Sequence, residues 1–318
     1  MREPDPAAAW GRLCRRPRMA PQHPQSTAPL PLLLVLWLLC AASTAQADQA
    51  LRLISDTQWS LDRTWFGGFS GIEVTSQGAL ATLITDKGML VRVNLRRQDN
   101  RLTGIELRDH RRLTHKNGRP LSGRSHDAEG LALSSDGTTA YVSFEHRHRV
   151  ASLTLGTGRT RLLASSDAFD TFESNAGLEA LALHPDGTLY TLPERSTGRH
   201  APFDLYKLTP AGWRVAHKIP RRGPFLPVGA DFDDRGRLYL LERAVTPLGF
   251  RSRIRRFDLI RDAAPETTLL TTPAGRFDNL EGLSVWQDSA GQTRLTLISD
   301  DNFLTLQKTQ IVEYALTE

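Results

Sequence analysis

Cysteine is almost absent from this chain: its 318 residues include two, Cys14 and Cys40, both within the first 47. Everything after them has no thiol, which excludes disulfide staples and thiolate nucleophiles. Long apolar runs are scarce as well. The one candidate, Leu30–Cys40, is shorter than the about 20 residues a membrane-spanning helix needs. Helical periodicity is missing, and so is a strong charge of one sign. The formal net charge is +5, but the first 47 residues hold five Arg against Glu3 and Asp5, so the remainder carries about +2. So small a surplus gives no support to nucleic-acid binding. There is no G-x-S-x-G elbow, no HExxH pattern and no Gly-rich phosphate loop ahead of a helix.

What the N-terminus does contain reads as an address. Arg12, Arg15, Arg16 and Arg18 precede the apolar run, and Ala45-Gln46-Ala47 offers a small-x-small site with cleavage before Asp48. Residues 1–47 are expected to be a signal peptide, with Met19 a second candidate start. Residues 48–318 are expected to be one exported domain, periplasmic or secreted, with no stable membrane insertion and no nucleic-acid partner. A monomer is expected. About 270 residues are ample for a core without disulfides.

The mature chain repeats one pattern. Ser70-Gly71-Ile72-Glu73-Val74, Glu129-Gly130-Leu131-Ala132-Leu133 and Glu179-Ala180-Leu181-Ala182-Leu183 are followed by Val228-Gly229-Ala230-Asp231-Phe232 and Glu281-Gly282-Leu283-Ser284-Val285. Between the markers Gly71, Gly130, Ala180, Gly229 and Gly282 the steps are 59, 50, 49 and 53 residues. Each copy starts a short apolar strand, then has a turn such as His184-Pro185-Asp186-Gly187 or Asp233-Asp234-Arg235-Gly236, then a second strand. Repeats of this length made of short strands mark an all-β propeller, because no unit buries its apolar face alone. Five blades are expected. Six remains open, since the long first step and Leu95–Ser125 have room for further strands. Leu51–Ile54 is expected to supply the outer strand of the last blade and close the ring.

Propeller geometry puts the start of each first strand and the end of each second strand on one face, around the central channel. Both places are charged here. Glu129, Glu179 and Glu281 stand at first-strand starts; Asp86, Glu145, Glu194, Glu242 and Asp300 stand at second-strand ends. Lys87, Arg147, Arg195 and Arg243 follow four of those acids. A ring of carboxylates suits a hard cation such as Ca²⁺, which takes 6–8 oxygens. Glu129, Glu179, Glu281 and Asp300 are therefore candidate metal ligands or general acid/base groups. Arg195 and Arg243 are candidates for holding the anionic part of a small anionic or ester substrate. Each acid also has a plainer role open to it, accepting turn amides or neutralising a neighbouring Arg. His126-Asp127 stands next to Glu129 and is a further base or ligand candidate. Trp59, Trp65, Trp213 and Trp286 are expected to pack between blades.

Four runs carry a family resemblance: Asp127-Ala128-Glu129-Gly130-Leu131-Ala132, Leu189-Tyr190-Thr191-Leu192-Pro193-Glu194-Arg195, Asn279-Leu280-Glu281-Gly282-Leu283, and Leu297-Ile298-Ser299-Asp300-Asp301-Asn302-Phe303. They resemble the phytase-like family, the group called "esterase-like activity of phytase". The resemblance implies a β-propeller and a phosphoesterase or esterase. The mouth acids are also similar to those of propeller-fold sugar-lactone hydrolases with a central divalent ion. The sequence thus points to an exported ester hydrolase assisted by a metal. A non-catalytic propeller that binds a ligand or a cell-envelope partner is the alternative.

Overall fold

The computed structural model describes residues 50–134, 137–260 and 264–317. The expected leader, residues 1–47, lies outside the described residues, as do Ser135 and Asp136 of one anticipated turn. Among the described residues twenty strands form five four-stranded antiparallel sheets. Blade 1 holds β2 (Phe69–Val74), β3 (Leu80–Thr85), β4 (Met89–Gln98) and β5 (Arg101–Arg112). Blade 2 holds β6 (Ala128–Leu133), β7 (Thr139–Phe144), β8 (Arg149–Thr154) and β9 (Arg159–Leu162). Blade 3 runs β10 (Ala180–Leu183), β11 (Leu189–Leu192), β12 (Phe203–Thr209) and β13 (Gly212–Ile219). Blade 4 runs β14 (Leu226–Phe232), β15 (Arg237–Thr246), β16 (Gly249–Asp258) and β17 (Glu266–Thr271). Blade 5 takes β18 (Asn279–Gln287), β19 (Thr293–Asp300) and β20 (Gln310–Leu316), and its outer strand is β1 (Leu51–Gln58), with Leu51 opposite Leu316.

The chain is a five-bladed propeller. Each inner strand packs against the next, and β18 closes on β2. The room that left six blades open is taken up by length: β4 and β5 form a hairpin of 10 and 12 residues, and a connection then leads to blade 2. Among the described residues helix is limited to three short 3-10 turns. None is long and apolar enough to cross a membrane.

Five apolar clusters fill the five wedges between neighbouring blades. One joins Ile84 and Leu90 of blade 1 to Leu131 and Val142 of blade 2; another joins Tyr239 and Ile254 of blade 4 to Leu297 and Tyr314 of blade 5. Each such Leu, Ile or Val contributes about 1.5–3 kcal/mol by leaving water, and in a chain without disulfides this burial carries the stability. Trp59, Trp213 and Trp286 are buried in these wedges, while Trp65 is half-buried and stacks on His110.

The small marker residues have a steric cause. A Cβ on Gly71 would come within 2.8 Å of Leu131 Cβ, and one on Gly130 within 2.7 Å of Leu181 Cβ. Five inner strands converge on the axis too closely for anything larger than the methyl of Ala180 there. Just before the marker, the register slips in blades 1, 2, 4 and 5, between Phe69 and Gly71, Ala128 and Leu131, Pro227 and Gly229, and Leu280 and Gly282. Such bulges release one residue from the ladder and re-aim its side chain. Ser70, Glu129, Val228 and Glu281 are the residues set free.

Candidate functional site

The mouth is built from two positions of each blade. At the released position stand Ser70, Glu129, Glu179, Val228 and Glu281. At the matching position of the second strand, two residues past the marker's partner, the registers give Asp86, Glu145, Glu194, Arg243 and Asp300. Blade 4 therefore contributes a cation, and Glu242 leaves the expected ring. Adjacent strand residues point to opposite faces, so a shift of one removes the side chain from the mouth. Glu242 is 0% exposed and binds Arg253 Nε at 2.6 Å and Arg255 Nη2 at 2.5 Å inside blade 4.

Arg243 ties one side of the mouth together. It donates to Asn279 Oδ1 at 2.8 Å, to Glu194 Oε1 at 2.9 Å and to Glu281 Oε1. Asn279 Nδ2 donates to the same Glu281 oxygen at 2.8 Å. Burial opposes the charge of Arg243, but Glu281, Glu179 and Glu194 outweigh it and raise its pKa. Burial raises the pKa of Glu281, while Arg243 and Asn279 pull it back. All the hydrogen-bonding capacity this guanidinium spends here goes to protein partners, not to an open anion subsite.

On the other side no guanidinium bridges the acids: Lys87, beside Asp86, lies over the Phe303 ring and only partly offsets that carboxyl, and the Gly177 N–H donates to Glu145 at 3.1 Å. Oxygens of Asp127, Glu129 and Glu145 lie within 4.8 Å of one another. Burial, then the charges of Glu179, Glu281, Asp127 and Glu145, push the Glu129 carboxyl well above the usual range. Glu179 is also raised well above the usual range, by burial and then by Glu145. Asp127 is raised by burial and Glu145, with His146 and His126 opposing; His146 Nε2 lies 3.0 Å from Asp127 Oδ2. Asp86 is pushed to about 7 by burial and Asp127, and its Oδ1 is buried without a hydrogen-bond partner. Asp300 is pushed to about 8 by burial and then Glu281, although the Asn302 N–H donates to it at 2.7 Å.

Beneath these acids the axis is nearly shut. The cavity there is about 10 Å³, lined by Ile72, Leu131, Leu181 and Leu283 among others, and so is roughly the space of one water. The axis is therefore closed below the acids and is not an open pore. Further along the inner strands, Glu73 and Asp231 form a second buried acidic pair, but with donors at hand. Ser284 Oγ donates to Glu73 at 3.3 Å, and the N–H groups of Phe232 and Val285 donate to Asp231 at 2.7 and 2.6 Å.

Glu129, Glu179, Glu281, Asp300 and Arg243 thus meet at one mouth. Arg195 lies not within it but at its rim, beside Glu194. Its side chain is 55% exposed, 3.6 Å from Glu194 and 3.4 Å from Glu173, beside a hollow of about 350 Å³. The expected ligand set omits Glu145, and Asp127 enters the sequence reading only as a further candidate beside Glu129. Glu145 sits at the repeating second-strand position, a signal the sequence does carry. Asp127 lies before the strand, and only its two-residue spacing from Glu129 hints at a shared side.

Comparison with known proteins bears on the same stretch. Residues 64–303 match the model of the family Phytase-like, "Esterase-like activity of phytase". Among curated protein sequences, none matches. Two solved structures illustrate the fold's company. Kuenenia stuttgartiensis hydrazine synthase aligns at TM-score 0.40 and 14% identity over 82% of this chain and 66% of its own. The Neurospora crassa Pan2 WD40 domain aligns at TM-score 0.44 and 12% identity over 84% and 96%. With a family match across more than half its length and five blades to go with it, the chain belongs to the phytase-like family.

Proposed function

We propose that the protein is an exported hydrolase of phosphoric or carboxylic esters, working at the mouth with a divalent cation such as Ca²⁺. One observation carries the reading: Asp127, Glu129 and Glu145 converge within 4.8 Å with no Arg or Lys among them. Like charges so close in a buried mouth cannot all ionise without protons or a cation to offset them. Oxygen-only donors suit a hard ion, and the partnerless Asp86 oxygen beside them fits the same need.

Asp127, Glu129 and Glu145 would hold the ion, and His146 would fix the orientation of Asp127. When bound, the ion would polarise an ester oxygen or acidify a water. Asp300 keeps its proton up to about pH 8, which supports a role as proton donor to the leaving oxygen. Arg195, at the rim beside Glu194, would take the substrate's anionic group by exchanging its long, exposed contact with Glu173, whereas Arg243 is buried between Glu194 and Glu281. Glu179 and Glu281 would tune the field and not coordinate. Export rests on the leader, and N-terminal sequencing of secreted or periplasmic material should begin at Asp48.

The test is hydrolysis of an aryl phosphate and of an aryl ester by the purified protein, with Ca²⁺ and with chelator. Activity should require the ion and fall by roughly 100-fold or more in Asp127→Asn/Glu145→Gln. Activity indifferent to both chelator and variant would end the assignment. The ion-paired Arg243 side favours a second reading, a non-catalytic binding face; saturable ligand binding without turnover is its outcome.

A further inference from the structure

The connection from blade 1 to blade 2 does more than span a gap. Thr114 bridges both Pro120 and Arg159, its N–H donates to Gly158 O at 2.8 Å, and Thr160 N–H donates to Thr114 O at 2.8 Å. The segment is thereby pinned along β9 and encloses a hollow of about 590 Å³ on the outer flank of blade 2. That volume is in the range of small-molecule sites. No mouth residue lines it.

Its wall has two characters. Lys116, Arg119, Arg149 and Arg161 supply cations, and among the described residues no carboxylate lines the hollow or pairs with any of the four. Leu121, Ala151 and Leu162 supply an apolar side, with Leu162 left 58% exposed. Arg149 is the anchor. It lies over the Phe144 ring at 3.9 Å, donates through Nη1 to Arg147 O at 2.9 Å and through Nη2 to Ser125 O. Burial, and then Arg147, bring its pKa down to about 10. A guanidinium held rigid and partly dehydrated with no counter-charge is preorganised for an oxyanion.

We propose that this flank of blade 2 is a binding site for a small amphiphilic anion, with a sulfate, phosphate or carboxylate head on an apolar body. The cations take the head; Leu121, Ala151 and Leu162 take the body. An inorganic anion would leave the apolar wall unused, and a neutral hydrocarbon would leave the cations unused.

The probe is naphthalene-2-sulfonate, titrated calorimetrically into the purified full chain at low salt, with sodium sulfate and 2-naphthol as single-character controls. One saturable site is expected, with each control binding at least about tenfold more weakly. Arg119→Ala/Arg161→Ala removes two exposed side chains that pair with no carboxylate among the described residues, and should weaken the sulfonate about tenfold or more. Leu162→Ser should weaken it roughly threefold while leaving the salt dependence unchanged. Arg149→Met, with thermal unfolding recorded beside it, should abolish binding in a folded protein. Binding unchanged in the double variant, sulfate binding as well as the sulfonate, or no saturable binding at millimolar probe would each overturn the proposal.

Discussion

The two sides of the mouth are made from equivalent positions of the same repeat, yet they solve opposite problems. On the blade 4–5 side Arg243 sits between Glu194 and Glu281, and Asn279 completes the network. On the blade 1–2 side Asp86, Asp127, Glu129 and Glu145 crowd together; His126, His146 and Lys87 are near, and the Gly177 N–H reaches Glu145 at 3.1 Å, but no guanidinium bridges the acids. The acidic pair at Glu73 and Asp231 sharpens the contrast, because backbone and hydroxyl donors reach it. Buried carboxylates alone do not mark a site. Buried carboxylates that outnumber the donors and cations reaching them do, since the remaining repulsion is stored until an ion or protons arrive.

The comparison predicts mutational effects of opposite sign. Arg243→Met leaves Glu194 and Glu281 buried without their counter-charge and should cost about 3–5 kcal/mol in urea unfolding. Adding Glu281→Gln should restore part of that loss; equal costs in both backgrounds would dissolve the network. Across the mouth, Glu129→Gln removes a repelled charge and should stabilise the metal-free protein at pH 8 by about 1–2 kcal/mol. Destabilisation there would contradict the picture of an uncompensated side.

The pH dependence tests the same difference. Asp300 and Asp86 have folded-state pKa values of about 8 and about 7, raised by burial, against about 3.9 for a free Asp. The folded state holds these protons more tightly, so their stabilisation is complete below about pH 4 and lost as pH rises through 7 to 8. Metal-free protein should lose about 3–7 kcal/mol between pH 5 and 8, and Ca²⁺ should flatten the slope. Stability that climbs over that range would refute it. The smallest effect belongs to Arg195→Ala, where an exposed side chain should raise KM about threefold to tenfold with kcat unchanged. A fall in kcat alone would place Arg195 elsewhere in the scheme.

Much of this was legible before any coordinates. The repeat of small residues is readable because close approach at the axis demands it wherever five strands converge. Glu129, Glu179 and Glu281 are readable because a bulge, or in blade 3 the strand start, keeps one acid free just ahead of the marker. Blade 4 hides its contribution. Both Glu242 and Arg243 suit a strand end, and only the register between β14 and β15, with Leu226 opposite Arg243, decides which one faces the mouth. Asp127 lies in a connection that has no period to betray it. Charge compensation is invisible for a different reason: Arg243 and Glu194 are 49 positions apart and meet through the ring.

The most direct measurement is calorimetric titration of Ca²⁺ into the metal-free protein near pH 6, repeated in two buffers of different ionisation enthalpy. If the blade 1–2 side is a cation site, one ion binds per chain and protons leave Glu129 and its neighbours as it enters, so the apparent enthalpy differs between buffers. Asp127→Asn/Glu145→Gln should lose both the binding and the buffer dependence. No binding, or binding that the double variant retains, would show that the unpaired carboxylates hold only protons.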